Sequence, residues 1–410
     1  MKYNATSLLG KSEGGFLSKI TPDQSQENEL KSYRKDVRHA IRTTFSDLRE
    51  AFSEYSRGTW QLDERKLPQP LVELFRKLSP QQRASFVGVR PKFMSQGSFV
   101  YKTLNLPCHN PPQQIDLDDG VYLPLEMFKD KPVISKEFFF AIVDFSLSEL
   151  ARRRHWQFEE KNTCGRLVVN RLIHIDVPLY AIPTERFVAL ESLQAESAIN
   201  EWFTDSRSLL SKNDIYLAVR DRESWINSDP ATISEWFKES VRYHGEPLRN
   251  VCRHLKAWRD YHFPKKGPSS IALMACVVET FSEAVNERGS KFKGKQESEA
   301  LALCAKKLEQ QLSKGVLNPI DPSKPELYSP SSLNELDFET DKRKAAEFGE
   351  SLDFAFKRAK TRQDSVDTLR VVFGLRVPNR VDLVEISSDS VLGRPAKETP
   401  APVVPNADAG

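Results

Sequence analysis

A chain of 410 residues with 60 Lys+Arg against 57 Asp+Glu carries a formal charge of only +3. That balance excludes an all-over nucleic-acid coat, which needs a large basic excess, yet leaves room for a local basic cleft. Hydrophobic residues at 39% and charged residues at 29% allow a sizeable core, and the length suits two or three domains or one two-lobed enzyme. The longest apolar runs, Phe138 to Val143 and Ile271 to Val278, fall well short of the ~20 residues a membrane helix needs. No continuous apolar stretch of the secretory type opens the chain. Five scattered cysteines without a CxxC pair read as free thiols in a reducing compartment. The expectation is a soluble, cytoplasmic protein with no membrane contact.

In chain order, residues 1–24 are rich in Ser, Gly, Lys and Gln and read as a flexible N-terminus. Over 25–58, Val37, Ile41, Phe45, Leu48, Phe52 and Tyr55 fall on one helical stripe, with Gly58 as its stop. This is a long packing spine. Residues 59–201 mix helical segments with three strand-like runs, QIDLDDGVYLPL, CGRLVVNRL and LIHIDVPLYAI, which alternate apolar and polar residues. FSLSELARRRHWQFE reads as a helix following the Phe138–Val143 run. Residues 202–375 are mainly helical, and Arg249, Arg253 and Lys256 form a basic stripe at steps of four and three. Such a stripe is commonly a solvated helix face. Beyond Arg376 aromatics vanish and prolines cluster, so 376–410 reads as a disordered tail. The fold class is α+β: a mixed sheet with helices, then a helical lobe.

Chemistry concentrates in Ile115-Asp116-Leu117-Asp118-Asp119-Gly120-Val121. On a strand, Asp116 and Asp118 share one face while Ile115, Leu117 and Asp119 point to the other. Adjacent carboxylates raise each other's pKa unless a cation lies between them, and Mg²⁺ suits such a pair. A solvated acidic strand end has the same spacing. Gln96-Gly97-Ser98 lies about 18 residues upstream; a Gly-Ser turn allows close approach to a phosphate, or is an ordinary turn. In His174-Ile175-Asp176, the third carboxylate alternates onto a strand face with His174, which reads as a packed or supporting histidine.

A Gly-Ser turn, an Asp-x-Asp strand and a third Asp in a later strand follow the pattern of the polymerase-β-related nucleotidyltransferases. QGSFVYKTLN, IDLDDGVYLP and HIDVPLYAIP more closely resemble the bacterial cGAS/DncV-like nucleotidyltransferases (CD-NTases), in the branch around the dinucleotide cyclase DncV. The resemblance runs through most of residues 30–375. It implies a bilobal molecule in which a polymerase-β-like core is joined to a C-terminal α-helical lobe. It also implies that Asp116, Asp118 and Asp176 are catalytic and hold two Mg²⁺ ions, with Mn²⁺ an alternative. Gln96, Gly97, Ser98 and Tyr101 match the donor-nucleotide loop. Arg166 matches a basic nucleotide contact, although a strand arginine facing solvent fits equally. Lys256 matches the triphosphate-binding lysine, with Ser270 close to the same phosphates. Ser228 and Asp229 match purine-base contacts, and Ser-Asp-Pro is also a natural helix start.

The implied activity is template-independent joining of two NTPs into a cyclic dinucleotide, with 3′,3′-cyclic GMP-AMP from ATP and GTP the leading product. That signal would reach a separate effector in CBASS anti-phage defence. Gly410, a terminal glycine, would be the handle for an E1/E2-like conjugating enzyme. An obligate nucleic-acid partner finds no support, since there is neither a zinc-binding Cys/His insertion nor a long basic block. The rival readings are the same chemistry with another product, cyclic or linear, and a non-catalytic nucleotide- or RNA-binding relative. Three retained carboxylates argue against the second.

Overall fold

In the computed structural model, residues 2–54, 60–62, 67–189, 215–228 and 230–387 are described. The spine helix α1 (Gln24–Ala51) buries Val37, Ile41, Phe45 and Leu48 along one stripe. It ends earlier than the expected 25–58, because the chain at Phe52–Glu54 extends and pairs antiparallel with Trp60–Leu62. Tyr55 and Gly58 lie outside the described residues.

Helices α2 (Gln69–Lys77) and α3 (Pro80–Gly88) follow. The second starts in a capping box, where Ser79 and Gln82 satisfy each other's free backbone donors. Helix α4 (Pro132–Arg154) takes in the whole Phe138–Val143 run and the segment after it. It stops before Gln157-Phe158-Glu159-Glu160, which form a strand rather than the helix end that the sequence suggested.

One seven-stranded sheet carries the chemistry. Its strands are β1 (Lys92–Ser95), β2 (Ile115–Pro124), β3 (Gln157–Glu160), β4 (Cys164–Val168), β5 (Ile173–Ile182), β6 (Tyr216–Leu217) and β7 (Ile226–Asn227). β2 and β5 form a parallel pair at its centre. β1 flanks β2 antiparallel, whereas β4 and β6 share the far edge of β5, each pairing with one half of it. Because β6 and β7 belong to this sheet, the helical lobe starts at Pro230, later than the boundary expected at 202. Apolar residues of α1, α4, β2 and β5 make one core.

The second core belongs to α5 (Pro230–His244), α6 (Glu246–His262), α7 (Ser270–Arg288), α8 (Glu297–Lys314), α9 (Glu335–Asp353) and α10 (Arg362–Phe373). It also contains Leu8, Leu9, Phe16, Leu17 and Ile20, all fully buried. The expected flexible N-terminus is therefore corrected. Its polar composition dilutes five apolar side chains that two short helices, Thr6–Leu9 and Phe16–Ile20, set into the lobe. The tail expected from 376 is also shorter, because Val377 and Val384 are buried and Glu385–Ile386 pairs with Tyr3–Asn4. Residues 388–410, Gly410 included, lie outside the described residues. Among the described residues no helix is long and apolar enough to cross a membrane.

The segment between Tyr101 and β2 stitches the lobes together. Buried Arg253 of α6 donates to Asn105 Oδ1 (3.0 Å) and to the Leu104 carbonyl (2.9 Å). Gln113 Nε2 reaches the Asp260 carbonyl (2.7 Å). These bonds fix the width of the cleft that opens between the sheet and α6.

Candidate active site

The parallel register sets Asp116 opposite His174 and Asp118 opposite Asp176. Between them Ile115, Leu117, Ile173 and Ile175 are buried, so strand alternation turns these polar side chains to one face. Asp119 points to the other face and is fully buried. There Arg38 of α1 grips both its oxygens, with Nε 2.6 Å from Oδ2, and Ser95 Oγ donates at 2.8 Å.

Gln96-Gly97-Ser98 leaves the end of β1 and enters the one-turn helix Gly97–Tyr101. The Gln96 N–H donates to the Asp118 carbonyl (3.0 Å), which pins this turn against the acidic strand. Gly97 has φ +68°, and a Cβ there would stand 2.3 Å from Asp118 Oδ2. Only glycine tolerates both the backbone and the contact. The Gln96 amide donates to Tyr122 Oη (2.7 Å) and accepts from Tyr180 Oη (3.1 Å), and those two rings stack at 4.8 Å. Gly120 makes room for this arrangement, because a Cβ there would meet Gln96 Nε2 at 2.6 Å.

The facing wall is supplied by α6 and the start of α7. Lys256 is buried, its Nζ donating to the Thr103 carbonyl (2.7 Å), and burial pushes its pKa down to about 8. Ser270 opens α7, and its Oγ accepts from Arg259 Nη2 (3.1 Å). The cleft between the walls measures about 870 Å³.

Eight expected residues line this one cleft: Gln96, Gly97, Ser98 and Tyr101 with Asp116, Asp118, Lys256 and Ser270. Asp176 does not line it, but one of its oxygens lies within 4.8 Å of ligand atoms of Asp116 and His174, which do. Arg166, expected at a nucleotide, instead holds Asp176, with Nε and Nη2 each 2.7 Å from a carboxylate oxygen. The cross-strand register explains this, since Arg166 of β4 lies directly opposite Asp176. Ser228 follows β7, its N–H donating to the Ile215 carbonyl (3.0 Å), and does not line the cleft, whereas nearby Pro230 does. Asp229 lies outside the described residues. Sequence reasoning missed Gln113, Gln114, Arg259 and Asp260, which also line it.

The acidic face fits a divalent ion. Burial pushes the Asp118 carboxyl up to about 8, and the Asp116 and Asp176 carboxylates add to the shift. Such a group is short of positive charge. Crowded hard oxygen donors of this kind suit Mg²⁺.

Two family descriptions match the chain. "Cyclic GMP-AMP synthase DncV-like, nucleotidyltransferase domain" covers residues 91–180, and "Cyclic GMP-AMP synthase, C-terminal domain" covers residues 245–386. A cyclic GMP-AMP synthase of Escherichia coli is 31% identical over 97% of each chain. One from Vibrio cholerae is 30% identical over 92% of each. The Vibrio cholerae DncV crystal structure in complex with the linear intermediate 5′-pppA(3′,5′)pG superposes with a TM-score of 0.80 at 30% identity, covering 94% of this chain and 99% of that one. Likeness of this degree along nearly the whole length, with the carboxylates, Gly-Ser turn and facing lysine assembled in one cleft, makes this chain a member of the DncV-like cyclic GMP-AMP synthase family, a nucleotidyltransferase that makes a cyclic dinucleotide.

Proposed function

We propose that the protein joins ATP and GTP, without a template, into 3′,3′-cyclic GMP-AMP for CBASS anti-phage defence. The observation that carries this reading is the polarity of the cleft. Carboxylates crowd one wall while Lys256 and Arg259 face them from the other, a field that suits a triphosphate lying between. The reaction is in-line attack of one nucleotide's 3′-hydroxyl on the other's α-phosphate with release of pyrophosphate. Asp116, Asp118 and Asp176 would hold Mg²⁺, which when bound supplies acidification of the hydroxyl and neutralisation of developing phosphate charge.

The chain's own groups divide the remaining work. Arg166 fixes the orientation of the Asp176 carboxylate, so that this group can accept the hydroxyl proton. Gly97 lets backbone approach the donor phosphates, and Lys256 with Ser270 grips the triphosphate. The adenine-to-guanine order of the intermediate named for the Vibrio cholerae enzyme supports the same order here.

The test is incubation of the purified protein with all four NTPs and Mg²⁺, with products read by mass spectrometry. An Asp116→Ala/Asp118→Ala variant runs beside it. Cyclic GMP-AMP from the wild type alone is expected. A different nucleotide from the wild type reassigns the base choice. The defence role is checked by phage challenge of cells carrying the native operon, where the double variant should lose protection.

A further inference from the structure

His174 stands among the carboxylates of the acidic face. It stands across the register from Asp116, with Nε2 2.9 Å from Asp116 Oδ1, and it lines the cleft. Its other nitrogen, Nδ1, lies 3.1 Å from Gln114 Oε1. The Gln114 amide is oriented independently, because its Nε2 donates to the Arg171 and Asn170 carbonyls (3.2 and 3.4 Å). Its oxygen therefore faces the ring and accepts, so Nδ1 carries the imidazole proton. This is the outer-shell device that fixes the tautomer of metal-bound histidines.

In the neutral ring this leaves Nε2 bare and aimed at a carboxylate oxygen. Nε2 is buried and makes no hydrogen bond of its own. Two lone-pair atoms 2.9 Å apart repel unless positive charge joins them. An octahedral ion with ligand distances of ~2.1 Å separates neighbouring ligand atoms by about 3.0 Å. One ligand atom each from Asp116, His174 and Asp176 lies within 4.8 Å of the others.

We propose that His174 Nε2 is a direct ligand of a divalent ion shared with Asp116 and Asp176, and that Gln114 is its positioning residue. The inference rests on the reading that the carboxylates hold an ion. A nitrogen donor suits transition ions better than Mg²⁺, which prefers oxygen. The site therefore favours Mn²⁺ over Mg²⁺ more strongly than an all-oxygen site does.

The experiment is pulsed electron paramagnetic resonance of Mn²⁺ bound to the full chain, read for coupling to nitrogen. Wild-type protein should show ¹⁴N coupling that changes on ¹⁵N-histidine labelling. His174→Ala should still bind Mn²⁺, about tenfold more weakly, and lose the coupling. Gln114→Met should keep the ion and weaken the coupling. Bound Mn²⁺ without nitrogen coupling in the wild type overturns the proposal and leaves the carboxylate reading intact, since Nε2 then carries a proton and donates to Asp116. Coupling that persists in His174→Ala overturns it too. A wild type that binds no Mn²⁺ removes the carboxylate reading and the inference together.

Discussion

Asp118 stands directly across the parallel pair from Asp176, and its carboxyl is pushed up to about 8 by burial, by Asp116 and by Asp176 itself. The unfolded chain loses that proton near the ordinary value of 3.8. Between roughly pH 4 and pH 8 the native state therefore holds a proton that the unfolded state has lost, and stability falls as pH rises. With EDTA present, the wild-type melting temperature should drop from pH 6 to pH 8. Mg²⁺ should reverse the drop at pH 8, and Asp118→Asn should flatten the dependence while abolishing product. If metal-free wild type and Asp118→Asn show the same pH profile, the carboxyl is not raised.

Lys256 has the opposite sign. Burial lowers it to about 8 from 10.5, so the free enzyme loses this charge as pH climbs past 8. Affinity for a nonhydrolysable NTP, measured by calorimetry, should weaken between pH 7 and pH 9. Lys256→Met should bind about 10–100-fold more weakly at pH 7, the scale of one hydrogen bond to a charged group, and vary less with pH. Equal pH dependence in both proteins would remove Lys256 from the triphosphate.

Gly97→Ala tests the contact between the Gly-Ser turn and the acidic strand. The new methyl must displace Asp118, and the positive φ adds about 1–2 kcal/mol of backbone strain. Synthesis should fall at least about a hundredfold, as ångström-scale misplacement at an active site does. The fold should survive, with circular dichroism near that of wild type. Near-normal synthesis would mean that Asp118 moves without consequence.

Much of this site was legible from residues because strand alternation is rigid. Once QIDLDDGVYLPL is a strand, the shared face of Asp116 and Asp118 follows, and in LIHIDVPLYAI the same alternation sets Asp176 on one face with His174. The α1 stripe was legible for the same reason, at helical spacing. What escaped depends on who stands opposite whom. The charge of Arg166 is spent on Asp176, a register fact. Arg253, on a stripe that looked solvated, is buried against Leu104 and Asn105 because that face of α6 meets the other lobe. The need for glycine at 120 comes from the Gln96 amide packed above it, a contact between the end of β1 and its neighbour β2 that spacing along the chain does not reveal. At the N-terminus, average composition hid five apolar residues that matter one by one.

The Arg38–Asp119 pair couples the spine helix to the chemistry from behind. Asp119 follows Asp118 on β2, and Ser95, which also bonds Asp119, precedes Gln96. Arg38→Met leaves a fully buried carboxylate without its cation, which costs about 3–5 kcal/mol. Urea unfolding should show that loss, and Asp119→Leu in the same chain should recover much of it, because the orphaned charge is then gone. Well below its melting temperature, Arg38→Met should also lower kcat more than it raises KM, since both the turn and the acidic strand lose their common anchor. A non-additive double-mutant cycle in stability is expected for groups in contact. If the two substitutions add, the groups are not coupled; if kcat is unchanged while stability drops, the pair only braces the fold and does not position the carboxylates.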